Sequence, residues 1–133
     1  MVKDQLIGVD EVKITIVMDN TIDVLMAGET NVQRFETCSL GAIDGLSPLV
    51  AEHGFCAMIQ IRSGDKQKSV LLDAGVSPQG ILHNMETLNI DINDMEAIIL
   101  SHGHADHTLG LPGLIEKIGP KKLPLIAHPD AFL

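Results

Sequence analysis

Ala97-Ile98-Ile99-Leu100-Ser101-His102-Gly103-His104-Ala105-Asp106-His107 decides the reading of this chain. Its first four residues form a wholly apolar run, as expected of a short strand covered on both faces. The histidines start directly behind that run, at the strand's carboxyl end. In an extended or loosely coiled stretch, residues two apart point the same way, so His102 and His104 can place both imidazoles on one cation. Asp106 and His107 are adjacent and diverge, which suits them to a second cation beside the first. Three of the chain's six histidines fall within six positions, with an aspartate among them. That crowding departs from the ordinary scatter of loop histidines and predicts a metal site.

Neutral imidazole suits zinc. Two divalent ions side by side supply what hydrolysis needs: a bound hydroxide at neutral pH, a Lewis acid on the substrate oxygen, and a cation for the leaving group. No protein nucleophile is then required. Asp106 is the candidate catalytic residue, since its carboxylate can accept a hydrogen bond from the metal-bound water and orient it.

Upstream of the cluster, Val12 to Met18 mixes alternation with β-branched residues and meets the turn-favouring Asp19-Asn20-Thr21, which predicts a strand and its stop. Residues 27 to 48 are broken by Gly28, Gly41, Gly45 and Pro48 and read as a long loop. Phe55 to Arg62, a turn at Gly64-Asp65, and Ser69 to Asp73 predict a β-hairpin. Ile81, Leu82, Met85 and Leu88 mark one face of a helix that Asn89 can close. Downstream, Leu111 to Ile118 predicts a helix with Pro112 in its first turn and Gly119-Pro120 ending it. Leu123 to Ala127 reads as another strand, and Pro129 to Leu133 as the start of a helix. This order predicts an α/β protein with a mixed sheet and helices packed on it.

The motif His102-x-His104-x-Asp106-His107 after an apolar strand resembles the signature of the metallo-β-lactamase superfamily. The resemblance implies an αββα sandwich holding two divalent ions, zinc first, with iron or manganese in some branches. It implies that His102 and His104 serve the first ion and Asp106 and His107 the second. Leu72-Asp73-Ala74-Gly75 is similar to the superfamily's upstream strand-end motif, in which Asp73 buttresses the site; Thr is usual where Ala74 stands. Thr15 to Asn20, Gly45-Leu46-Ser47, Ala51-Glu52-His53-Gly54-Phe55 and Ala127 to Phe132 are similar to the branch that includes the dihydropterin ribofuranosyl-aminobenzene phosphate synthases, whose members include hydrolases and transferases. Ala105, often aromatic there, and Leu109, commonly Gly, depart from the pattern and bear on pocket shape.

Zinc takes four donors, and two side chains plus a shared hydroxide leave each ion one short. The superfamily draws the remaining donors from its second half. Residues 1–133 therefore read as one domain, the amino-terminal portion of that fold, whose uncovered apolar sheet surface should associate with a copy of itself or with a carboxyl-terminal half. His128, at the end of a strand, His53 and Asp19 are expected as pocket or supporting residues. For His53 the competing reading is a partly buried loop histidine, and for Asp19 turn chemistry. His83 is expected on the solvated face of its helix.

The chain carries 18 acidic against 9 basic residues, a net charge of −9, and its aromatic residues are three Phe with no Trp or Tyr. Scattered cations and few rings argue against a nucleic-acid partner and leave a small-molecule substrate as the expectation. Cys38 and Cys56 stand in no metal or redox spacing and read as buried apolar residues. The first residues show no signal-like run and no stretch is long enough to span a bilayer, so a cytoplasmic protein without membrane attachment is expected.

Overall fold

The hairpin is closed by Gly64 and Asp65, with Ser63 paired to Lys66 across the turn. Gly64 takes φ +59, and its N–H donates to the Asp10 carboxylate at 2.6 Å, so the turn is tied to the neighbouring strand. The computed structural model describes residues 8–23, 26–35 and 48–132. The expectations placed on Gly41, Gly45-Leu46-Ser47, Cys38 and the first residues lie outside these.

Three antiparallel strands come first, β1 (Glu11–Met18), β2 (Cys56–Ser63) and β3 (Lys66–Leu72), with β1 at the sheet edge. Helix α1 (Pro78–Thr87) then crosses over to β4 (Met95–Ile99), which lies parallel to β3. After the one-turn helix α2 (Ala105–Thr108) and α3 (Leu111–Ile118), β5 (Leu125–Ile126) pairs parallel with β4. The result is the mixed α/β sheet expected, in the order β1-β2-β3-β4-β5. The last strand is shorter than expected. Pro124 has no N–H to give the ladder, and only its carbonyl takes part, accepting from Ile98 N–H at 2.9 Å.

Helix α1 begins where Ser77 caps it, the hydroxyl accepting from Gly80 N–H at 3.0 Å, with Pro78 in its first turn. Asn89 closes it as expected, in the left-handed region at φ +54. Ile81 and Met85 are buried, and Leu82 packs against the core from its edge. In α3, Leu111, Leu114 and Ile118 are buried, and Gly119 ends the helix at φ +71. These two helices cover one face of the sheet, on the row Met58, Leu71 and Ile98, all buried. Each such side chain contributes roughly 1.5–3 kcal/mol by leaving water.

The opposite face is apolar as well. The register lines up Ile16, Ala57, Leu72, Ile99 and Ile126 in one row across all five strands. A second row joins Ile14, Ile59, Val70 and Ala97. Ile14 is 60% exposed and Ile126 54%, so the edges of this face are open, while Ala57 and Ala97 nearer its middle are buried. In the Ala97–Leu100 run, expected to be covered on both sides, Ile98 is buried under the helices, and on the other face Ala97 is buried while Ile99 is partly exposed. Among the described residues no helix is long and apolar enough to cross a membrane.

Candidate metal centre

Asp73 stands at the end of β3, 2% exposed and in the left-handed region at φ +60. Aspartate tolerates that conformation better than most residues, and here it turns the carboxylate toward the end of the neighbouring parallel strand. Oδ1 accepts from Ser101 N–H at 2.7 Å. Oδ2 accepts from the Ser101 hydroxyl at 2.7 Å and from Nδ1 of His107 at 2.8 Å. A buried carboxylate is thereby satisfied by donors from the histidine loop itself.

Those bonds set the tautomers. With Nδ1–H of His107 given to Asp73, its Nε2 keeps a free lone pair. The Ser101 hydroxyl has donated its proton to Asp73, so it accepts from Nδ1 of His102, 2.9 Å away. His102 therefore also presents an unprotonated Nε2. That nitrogen lies 3.1 Å from Nδ1 of His104. Two nitrogens bound to one tetrahedral zinc stand about 3.3 Å apart, from bond lengths near 2.0–2.1 Å. The pair fits a shared divalent ion.

The local backbone explains why four donors divide into two pairs. His104 is extended, but the extended or loosely coiled stretch expected through His107 is instead a helical turn from Ala105, with His104 as its N-cap residue. His104 C=O accepts from His107 N–H at 3.0 Å and from the Thr108 hydroxyl at 3.0 Å. Neighbours on a helix are about 100° apart, so Asp106 and His107 splay from each other. Oδ2 of Asp106 stands 3.6 Å from Nε2 of His107. The rings of His102 and His107 lie 4.2 Å apart, which brings the two pairs together. Among the described residues no three such donors enclose one point as a finished cage. The donors meet pairwise, and two imidazoles and a carboxylate-imidazole pair, backed by a buried carboxylate, have the chemistry of divalent-metal ligands.

The remaining expected residues fall out differently. Nε2 of His53 is 3.3 Å from Oδ2 of Asp106, and the side chain is 80% exposed, which corrects the partly buried alternative. Asp19 follows turn chemistry: its carboxylate accepts from Asn20 N–H at 2.7 Å, and its carbonyl accepts from Glu52 N–H. His128 is engaged in its own segment, Nδ1 accepting from Asp130 N–H at 3.2 Å. His83 is half-buried and bonds the Pro48 carbonyl at 2.8 Å, in place of the solvated role expected.

Sequence reasoning passed over several supports. Ser101 links Asp73 to His102, its hydroxyl 2.7 Å from Oδ2 of Asp73 and 2.9 Å from Nδ1 of His102. Glu52 accepts from the Ser77 hydroxyl at 2.7 Å, and Asn20 Oδ1 accepts from Gly54 N–H at 2.9 Å. Buried Asn84 on α1 bridges two segments, its amide donating to the carbonyls of Val17 and Val50 and its Oδ1 accepting from Val50 N–H. Polar residues flanking a metal motif were the available signal for Ser101; an Asn on an apolar helix face was the signal for Asn84. Cys56 is fully buried, as expected. Burial first, and then the Asp73 charge, push its thiol well above the usual range, so it is no thiolate ligand.

Over 86 residues the chain is 41% identical to the 7,8-dihydropterin-6-methyl-4-(beta-D-ribofuranosyl)-aminobenzene-5'-phosphate synthase of Methanocaldococcus jannaschii, covering 65% of this chain and 29% of that protein. It is 31% identical over 84 residues to ribonuclease Z of Clostridium botulinum, covering 63% of this chain and 24% of the relative. The chain thus spans less than a third of the length of either. Among solved structures, the Rm3 metallo-beta-lactamase matches at 28% identity and a TM-score of 0.45, over 62% of this chain and 29% of that one. Residues 50–129, more than half of the chain and including the whole His102–His107 segment, match the family described as the metallo-beta-lactamase superfamily. The chain belongs to the metallo-beta-lactamase superfamily.

Proposed function

We propose that this chain carries the first ligand pairs of a metal-dependent hydrolase acting on a small ester or phosphoester-type substrate. The observation that carries the reading is the relay from buried Asp73 to His107, and through Ser101 to His102, which leaves an unprotonated Nε2 on each imidazole. His102 and His104 hold one ion, and Asp106 and His107 hold the second. Zinc is the first choice for so imidazole-rich a set, with iron or manganese as alternatives. When bound, such a pair supplies Lewis acidity and a water acidified toward neutral pH. Asp106 accepts a hydrogen bond from the attacking water and orients it. The test is metal analysis of the purified chain together with assays on generic esters and phosphodiesters. Bound metal with hydrolysis is expected, and absence of both overturns the proposal.

A second reading, a pterin-pathway transferase, draws support from the 41% identity to the methanogen synthase. Candidate substrates separate the two, since a transferase yields a condensation product where a hydrolase yields cleavage. A third, a metal-binding or assembly fragment without turnover, draws support from the pairwise donors. Stoichiometric metal with no reaction on any substrate class would favour it.

A small-molecule substrate fits the net charge of −9 better than RNA does. Salt-sensitive RNA binding would count for the nucleolytic direction suggested by the ribonuclease Z likeness. The free, buried Cys56 suits a reducing cytoplasmic setting. The apolar sheet face, open at its edges, is assigned to packing, against a second copy or the carboxyl-terminal half of the fold.

A further inference from the structure

Helix α2 has only four residues, and a single helical turn is marginal in water without outside support. The N–H that would continue the helix over the Asp106 carbonyl, that of Gly110, donates to Gly75 C=O at 3.2 Å. The Asp106 carbonyl takes Phe55 N–H at 3.3 Å, and the His107 carbonyl takes Ala74 N–H at 2.8 Å. Phe55 C=O in turn accepts from Gly75 N–H at 3.0 Å. Two backbone segments thus seat the turn that carries Asp106 and His107. One follows β3 and adjoins Asp73. The other, residues 52–55, has no part in the reading above.

Gly54 takes φ +141, and a Cβ there would overlap the Asp106 carbonyl. Only glycine allows so close an approach. Glu52 fixes the segment at that distance. Its N–H donates to the Asp19 carbonyl, and its half-buried carboxylate has both oxygens within 2.8 Å of the Ser77 hydroxyl, which donates to it. Ser77 caps α1, whose first turn holds no acidic residue, so the carboxylate also meets the positive end of that ten-residue helix. A Cβ on Gly80 would overlap the same carboxylate, so the helix leaves room for it. We propose that Glu52 is a positioning residue for the Asp106–His107 pair: clamped to the start of α1, it holds Gly54 and Phe55 against the Asp106 carbonyl and so sets how α2 is turned. The inference deepens the metal reading above, but its first test needs no metal. The competing account is a cap that stabilises α1 and nothing else.

The metal-free whole chain is followed by NMR. In Glu52→Ala, amide exchange at Phe55 should accelerate about 10-fold relative to β3, as one lost hydrogen bond to a charged group permits. The Nδ1–H signal of His107 should shift, and the ring signals of His102 should not. Glu52→Gln keeps an accepting oxygen for Ser77 and should restore both. Changes confined to α1, or the same changes in the core variant Met95→Ala, overturn the inference. If Glu52→Ala does not fold, Ser77→Gly replaces it, since glycine still serves as an N-cap but removes the clamping hydroxyl. In Zn²⁺ titrations the variant should bind the Asp106–His107 ion about 10-fold or more weakly and the His102–His104 ion as before. Equal affinity for both ions also overturns the inference. If the unaltered chain takes up no Zn²⁺, the metal reading falls, while the NMR comparison still decides whether Glu52 turns α2.

Discussion

Nδ1 of His107 lies 2.8 Å from Oδ2 of Asp73, although the two residues are 34 positions apart, Asp73 at the end of β3 and His107 on α2. The same carboxylate, 2% exposed, receives both hydrogen bonds from Ser101. Asp73→Asn keeps one accepting oxygen but turns the other into a donor facing Nδ1–H of His107. The variant should lose metal affinity by about 10–100-fold, as outer partners do. Asp73→Ala strands three donors and should cost about 3 kcal/mol in addition. Calorimetric titration and thermal melts read the two effects separately, and wild-type affinity in Asp73→Asn would refute the relay.

Splitting of the four donors into pairs makes the metal count the direct readout. His102→Ala and His104→Ala should each release the same single ion, because their nitrogens are only 3.1 Å apart. Asp106→Asn should leave that ion bound while lowering hydrolysis by about 100-fold or more, since it removes an orienting acceptor. Full activity in Asp106→Asn with metal retained would discard the proposed role.

Cys56 gives a pH dependence whose sign follows from its environment. Burial raises the folded-state pKa of the thiol above its unfolded value, and the Asp73 charge raises it further. The stabilisation is fully present below the unfolded pKa, about 8.5, and is lost as pH rises above it, because only the unfolded chain ionises. Urea melts should show stability falling by about 1.4 kcal/mol per pH unit there, beyond any slope left in Cys56→Ala. In a Cys38→Ser background, the native thiol should resist alkylation until the protein unfolds. Identical slopes with and without Cys56 would contradict this.

The face bearing Ile14 and Ile16 is continuous across the sheet, and covering it gains about 25 cal/mol per Å² of apolar surface removed from water. The chain by itself should therefore associate with rising concentration. A double variant, Ile14→Lys with Ile16→Lys, should sediment as a monomer with an unchanged circular dichroism spectrum. A wild-type chain that stays monomeric and binds no hydrophobic dye would remove the packing role from this face.

Much of this molecule could be read along the chain. Repeats of Ile81 with Met85 and of Leu111, Leu114 and Ile118 located both helices, because helical burial returns every three or four residues. The hairpin followed from Gly64-Asp65 between β-branched runs. The donors His102, His104, Asp106 and His107 were visible because they lie within six positions, so one local conformation suffices to gather them.

What lay beyond such reading depends on contacts between distant segments. No periodicity shows that β1 takes the edge, that Asp73 relays through Ser101 to His102, or that Gly54 brings His53 against Asp106. Residue types and spacing determined that a donor cluster ends an apolar strand. Only the packing of β3 beside β4, and of the Glu52–Phe55 loop against α2, decided which nitrogens keep their lone pairs and which neighbour reaches them. The reason is that a hydrogen bond across some 30 or 50 residues is set by where two chain segments meet in space, and that is a property of the closed fold.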